Sequence, residues 1–320
     1  MSAALPAPEA GGHSLADGTM VEVGALVANT LGAEGFETIA FDHARIAAPA
    51  IFSEVQTFAG ADFVGTRRRH ADGASVEVAL QKEDAANRTH ACETVGWMAT
   101  AHDAGALADG AMWGAQDLSW TAVEAESRVL ADARVLKTGL REVGATTRQG
   151  FAPIAFDALF TADPAVLGQV QTADGAADGA ACVKTRRQGI DAAGFQVALG
   201  EEAASRAPRS AQTAGWIALD RGGAAATDGF AFGAGEITAS HAAARQTLAA
   251  PLAAPGVVAS RTTHAGRVAS AARIEALTGA GFGLRAQEGM FLDVETTDAC
   301  EIVHRLAFES GAQIWDDMLL

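Results

Sequence analysis

Gly35-Phe36-Glu37-Thr38-Ile39-Ala40-Phe41-Asp42 returns 115 residues later as Gly150-Phe151-Ala152-Pro153-Ile154-Ala155-Phe156-Asp157. The register holds on both sides of this stretch. Leu15-Ala16-Asp17 falls on Leu130-Ala131-Asp132, and Val55-Gln56-Thr57 on Val170-Gln171-Thr172. After a four-residue insertion the offset becomes 119, where Thr66-Arg67-Arg68 meets Thr185-Arg186-Arg187 and Gly96-Trp97 meets Gly215-Trp216. A period this long marks a domain-sized unit, not a solenoid turn. A third, more diverged copy follows. At offsets of 206 to 208, Arg67 falls on Arg273, Gln81 on Gln287, and Ala91-Cys92-Glu93 on Ala299-Cys300-Glu301. In this copy Gly96-Trp97 is replaced by His304-Arg305.

Each copy reads as strands. Val76, Val78 and Leu80 alternate with polar or small residues, as do Phe195, Val197 and Leu199, and Phe282, Leu284 and Ala286. Alternation with period two places one face of a strand on a core. Turn residues such as Gly60-Ala61-Asp62 and Asp72-Gly73 separate the runs, and Asp17-Gly18 and Asp228-Gly229 read as hairpin turns. The expected fold is all-β: three tandem antiparallel β-sandwich domains with little helix. Their expected limits are 13–103, 128–222 and 223–320, after a flexible tail at 1–12. Residues 104–127 form a connector with an extra strand or hairpin. Trp97 and Trp216 are expected in a sandwich core or at a contact between copies. Cys92 and Cys300 read as small buried hydrophobes.

Composition narrows the function. Hydrophobic residues make up 49% of the 320, enough for several small cores, but no apolar run is long enough for a membrane-spanning helix. The N-terminal stretch lacks the basic and apolar regions of a secretory signal, so synthesis in the cytoplasm is expected. The net charge of −16 opposes binding to a phosphate backbone. Three cysteines without CxxC spacing suggest neither a disulfide framework nor a zinc site. The histidines, among them His90, His241, His264 and His304, have no metal-ligand spacing, so no metal and no cofactor are expected. Neighbouring carboxylates such as Glu83-Asp84 or Glu201-Glu202 point to opposite faces of a strand, unlike a glycosidase pair. No catalytic residues are expected.

The order of motifs resembles the H-type lectin domain, the β-sandwich of snail agglutinins and of the discoidin C-terminal domain. An apolar strand follows a proline, as in Ala48-Pro49-Ala50-Ile51-Phe52. An arginine-bearing strand comes next, then Gly-Phe opening a strand, as in Gly194-Phe195. Trp-apolar-Ala closes the unit, as in Trp97-Met98-Ala99 and Trp216-Ile217-Ala218. The resemblance covers most of residues 13–312. It implies sugar binding and trimeric assembly, and three copies in one chain would supply a pseudo-threefold unit. Where the agglutinins carry an aromatic-His pair against the sugar, this chain has Glu83-Asp84, Glu202-Ala203 and Gly289-Met290.

The candidate carbohydrate-binding residues are therefore Arg67, Glu83, Arg186, Glu202, Trp113 and Trp120. Arg67, Arg186 and Arg273 recur in every copy, and with a nucleic-acid contact disfavoured by the net charge they have two main readings. One is a stem packed across the sheet and paired with a carboxylate such as Glu83 or Glu202. The other is a guanidinium gripping an acidic sugar. The expected role is that of a non-catalytic adhesin, a spike or fibre subunit on an extracellular phage-like particle such as a gene transfer agent. Its expected partners are cell-surface or capsular polysaccharide, other particle subunits and further copies of the chain, with no nucleic acid and no membrane insertion. The rival reading is a structural assembly module with no ligand of its own.

Overall fold

The computed structural model describes residues 11–14, 20–42, 49–83, 89–101, 126–129, 135–156, 159–173, 182–201, 211–222, 225–227, 230–263, 270–289 and 300–309. Among them there are strands and turns and no helix. Repeat one contains β1 (Gly11–Ser14), β2 (Met20–Ala28), β3 (Glu37–Ala40), β4 (Ala50–Val55), β5 (Gly65–Arg69), β6 (Ser75–Gln81) and β7 (Glu93–Ala101). Repeat two contains β8 (Glu126–Val129), β9 (Val135–Val143), β10 (Ala152–Ala155), β11 (Ala165–Val170), β12 (Val183–Asp191), β13 (Gly194–Glu201) and β14 (Gln212–Leu219). Repeat three contains β15 (Ala225–Thr227), β16 (Phe230–Ala239), β17 (Ala244–Thr247), β18 (Pro255–Arg261), β19 (Ser270–Thr278), β20 (Gly281–Glu288) and β21 (Glu301–Glu309).

The same antiparallel pairing recurs in each repeat. A four-stranded sheet has the order β1-β2-β7-β4, then β8-β9-β14-β11, then β15-β16-β21-β18. A three-stranded sheet has the order β3-β6-β5, then β10-β13-β12, then β17-β20-β19. Within a repeat the two sheets share one apolar cluster. In repeat one, Ile51, Val55, Val95 and Trp97 meet Ile39, Val76, Val78 and Leu80. The alternation in the sequence is thus realised as buried faces. Gly150, with φ +120°, sits where the turn after β9 needs a conformation that glycine adopts most readily. The Gly-Phe pair recurs for that reason.

Several boundaries differ from the sequence expectation. Gly11 and Gly12 belong to β1, while Glu126-Ser127, at the end of the expected connector, begin β8, which forms a hairpin with β9. The remaining connector residues, the turns at Asp17-Gly18 and Asp228-Gly229, and Asp109-Gly110 lie outside the described residues. Cys92 and Cys300 are exposed, since each precedes its strand instead of lying inside it; only Cys182 is buried.

Trp97 and Trp216 belong to the sandwich cores of their own repeats. Trp97 packs on Phe41 at 6.0 Å between ring centroids, and Trp216 on Phe195 at 5.6 Å. Each indole needs a glycine opposite it on the neighbouring strand. Gly24 pairs with Trp97, Gly139 with Trp216 and Gly235 with Arg305. A Cβ on Gly24 or Gly139 would lie 2.7 Å from the indole ring, whereas one on Gly235 would lie 3.4 Å from the Arg305 guanidinium. Repeat three keeps the glycine after losing the indole, and Arg305 lies over the Phe282 ring instead, at 5.9 Å. Gly24→Ala and Gly139→Ala are each expected to destabilise the fold by about 1–3 kcal/mol through overpacking. Gly235→Ala is expected to be close to neutral. Urea unfolding of the three variants checks this.

Candidate functional site

The three repeats close on one another. Phe52 of repeat one, Leu167 of repeat two and Val258 of repeat three occupy equivalent strand positions and meet in one buried cluster. Met98, Ile217 and Leu306 join them as a second equivalent set. A pseudo-threefold axis therefore runs between the four-stranded sheets. Two residues further along the same strands, on the same face, stand Glu54, Gln169 and Ser260. Beyond these, Phe63, Cys182 and Ala271, again from three different repeats, form another apolar cluster. The polar layer thus lies between two apolar layers on the axis.

Several buried polar side chains here bond across the seams, as burial favours. Gln171 accepts from the Ile51 N–H and donates to the Ile51 carbonyl, both at 2.8 Å. Gln56 makes the equivalent donation to Val257 O at 2.7 Å, one step around the axis. The recurring Val-Gln-Thr motif is a seam motif. It also explains the glycine of Gly-Trp: a Cβ on Gly96 or Gly215 would run into the Gln56 or Gln171 amide. In repeat three the glutamine position is Thr262 and the glycine position is His304. His304 takes over the contact, accepting the Val166 N–H at Nδ1, 2.8 Å away. Burial, with Arg187 and Arg221 nearby, lowers the His304 pKa to about 3, so the ring stays neutral.

The arginines run around the axis in the opposite sense. Arg67 donates from Nη2 to Gln212 Oε1 (3.0 Å) and from Nη1 to Val183 O (3.4 Å), both in repeat two. Arg273 reaches repeat one, where it meets Glu93 Oε1 at 2.9 Å, Thr57 O at 3.1 Å and Asp62 O at 3.1 Å. Arg186 occupies the same register, opposite Ala198 as Arg67 is opposite Ala79. All three are at most 2% exposed. The following position carries a second latch. Arg68 donates to Val170 O at 3.0 Å, and Arg187 makes the same contact with Arg261 O. Repeat three has Ile274 there.

The sequence-derived candidates separate accordingly. Arg67 and Arg186 are both buried, and Arg67 bonds into the neighbouring repeat through Val183 and Gln212. Glu83 lies at a different junction, where a Cβ on Gly289 would meet its carboxylate at 2.6 Å. Equivalent loop positions of repeats one and three therefore touch. Glu202, Trp113 and Trp120 lie outside the described residues. Sequence reading passed over Glu54, Gln169, Gln171, Arg68 and Arg187. The Val-Gln-Thr repeat and the doubled Thr-Arg-Arg were the available signals.

Glu54 is 5% exposed and faces the axis. Burial raises its pKa to about 7, against the opposing pull of Lys184, the Val55 N–H, Arg68 and Arg273. Burial likewise lowers Arg68 to about 9 and lowers Lys184. These are groups held where water would otherwise be, in a tightly specified network.

Comparison of the chain with protein-family models finds no match, and comparisons with curated proteins and with solved structures find none either.

A carboxylate whose pKa is higher in the folded than in the unfolded state contributes stability at low pH and loses it as pH rises. For Glu54 that window runs from about 4.5 to about 7. Glu54→Gln is expected to flatten this part of the profile. The variant should gain on the parent by roughly 3 kcal/mol between pH 5 and pH 8. Urea unfolding of both proteins across that range reads the difference, and other titrating groups cancel in it.

Proposed function

We propose that the chain is a non-catalytic binding protein, an adhesin of the spike or fibre kind. Its three sandwiches are of the H-type lectin sort, and their loops engage a cell-surface polysaccharide on a phage-like particle such as a gene transfer agent. One observation carries this reading: like loops of the repeats share one end of the molecule. Arg67 sits near the start of β5 and touches the starts of β12 and β14. Arg273 near the start of β19 touches the start of β7. Glu83 and Gly289, in the loops after β6 and β20, abut at that same end. A shared end of non-identical loops suits recognition of an extended polymer better than recognition of one sugar three times. Individual sugar contacts are weak, so valency would come from several chains, as homo-oligomers or as copies on one particle.

A second reading is favoured by one observation. Arg67 and Arg186 are both buried, so neither guanidinium is offered to an acidic sugar at the described surface. This supports a structural assembly module that packs against other particle subunits.

Retention on immobilised cell-surface polysaccharides separates the two. The adhesin reading expects weak retention of single chains and about 10²–10⁴-fold stronger retention when chains are arrayed on beads. Absence of retention in both formats, together with co-purification with particle subunits, would establish the assembly role instead.

A further inference from the structure

The polar layer on the axis lines a partly open cavity of about 50 Å³. One water needs about 10–15 Å³ of such space, so the cavity has room for about four oxygen-sized atoms. All three repeats line it. Glu54, Gln169 and Ser260 contribute the equivalent axial positions, and Arg67, Arg68, Lys184, Arg186 and Arg261 also reach it. Glu54 is the only carboxylate among its lining residues, against those five cations. Several cations gathered in a buried space are unfavourable unless something compensates their charge.

Arg261 and Ser270, both lining the cavity, have hydrogen-bonding atoms without a partner among the described residues. Arg261 is 4% exposed and its Nη2 is taken by Glu301, yet its Nε and Nη1 have no partner among the described residues. Ser270 is 5% exposed and its Oγ has none. Buried donors are rarely left in this condition. Arg261 is also a departure from the repeat. Val55 and Val170 hold the equivalent positions in the other copies, and both sit in apolar clusters. Repeat three has thus placed a cation where its relatives need none.

We propose that the axial cavity binds a tetrahedral inorganic oxyanion, of phosphate or sulfate size, held by Arg261 and Ser270 together with the cations of the other two repeats. The anion ties the three repeats together by answering charges that each contributes. Room for about four oxygen-sized atoms fits a tetrahedral oxyanion and exceeds a single halide. Guanidinium and hydroxyl donors are the groups that recognise such oxygens. The inference stands apart from the glycan reading, because the site is on the axis and not among the loops.

The test uses the whole chain. Its thermal unfolding midpoint is followed at fixed pH and ionic strength as gluconate, too large for the cavity, is exchanged for inorganic phosphate. A parallel series exchanges it for chloride. The expected result is a saturable rise with phosphate, as single-site linkage requires, that chloride does not reproduce. Ser270→Ala removes a hydroxyl and little volume. It should raise the phosphate concentration at half effect about five- to tenfold. Arg261→Met should abolish the saturable component. If it fails to fold, Ser270→Ala still decides. An equal rise with chloride would overturn the proposal. So would a phosphate effect that rises without saturation and is unchanged in Ser270→Ala, since that is what general exclusion of phosphate from protein surface produces.

Discussion

A guanidinium taken out of water must be met by oxygen atoms, and in this protein some of those oxygens belong to the next repeat. Arg67 finds them on Gln212 and Val183, Arg68 on Val170, Arg187 on Arg261, and Arg273 on Glu93, Thr57 and Asp62. Some partners are local, such as Ser53 for Arg68 and Gln287 for Arg273, but each of these four donors also reaches another unit, so none is satisfied by its own repeat alone. The apolar sets Phe52, Leu167, Val258 and Met98, Ile217, Leu306 provide non-directional attraction along the axis. The arginines and glutamines add direction, since a mispaired seam would strand charges in a dry space. Hydrophobic contact brings the units together, and hydrogen bonding sets how they are turned.

Repeat three shows how such a network tolerates change. Loss of the glutamine at Thr262 is matched by His304 at the position where its relatives need glycine, and the backbone N–H of Val166 is answered all the same. Loss of the indole at Arg305 is matched by a guanidinium over Phe282. The contact is conserved while the residues that make it exchange places across a strand pair. An identical trimer could not vary this way, because one surface would have to serve at all three seams. Fusion into one chain removes that demand.

What the sequence made legible follows from range. Val76, Val78 and Leu80 declare their buried face through neighbours two residues away, and the structure places all three in the core. The recurrence of Arg67, Arg186 and Arg273 was equally visible. Their direction was not, because Gln212 is 145 residues from Arg67 and belongs to another unit. Glu54 has the same difficulty. Within Ala50–Val55 it reads as the solvent-facing member of an alternating strand, and only the approach of two further repeats turns that face inward. Cys92 and Cys300 misled in the opposite sense: their equivalence was real, but the strands begin one residue later.

The order in which the chain is made meets the order in which it is satisfied. Phe52 and Met98 of repeat one share their cluster with Leu306 and Phe308, on the last described strand. Thr57 waits for Arg273, 216 residues downstream. On a ribosome, the first repeat can pair its sheets long before those partners exist. Until they emerge it carries an apolar face with no covering and a strand loop with no anchor. The nascent protein is therefore most vulnerable to wrong association between completion of its first unit and synthesis of its third.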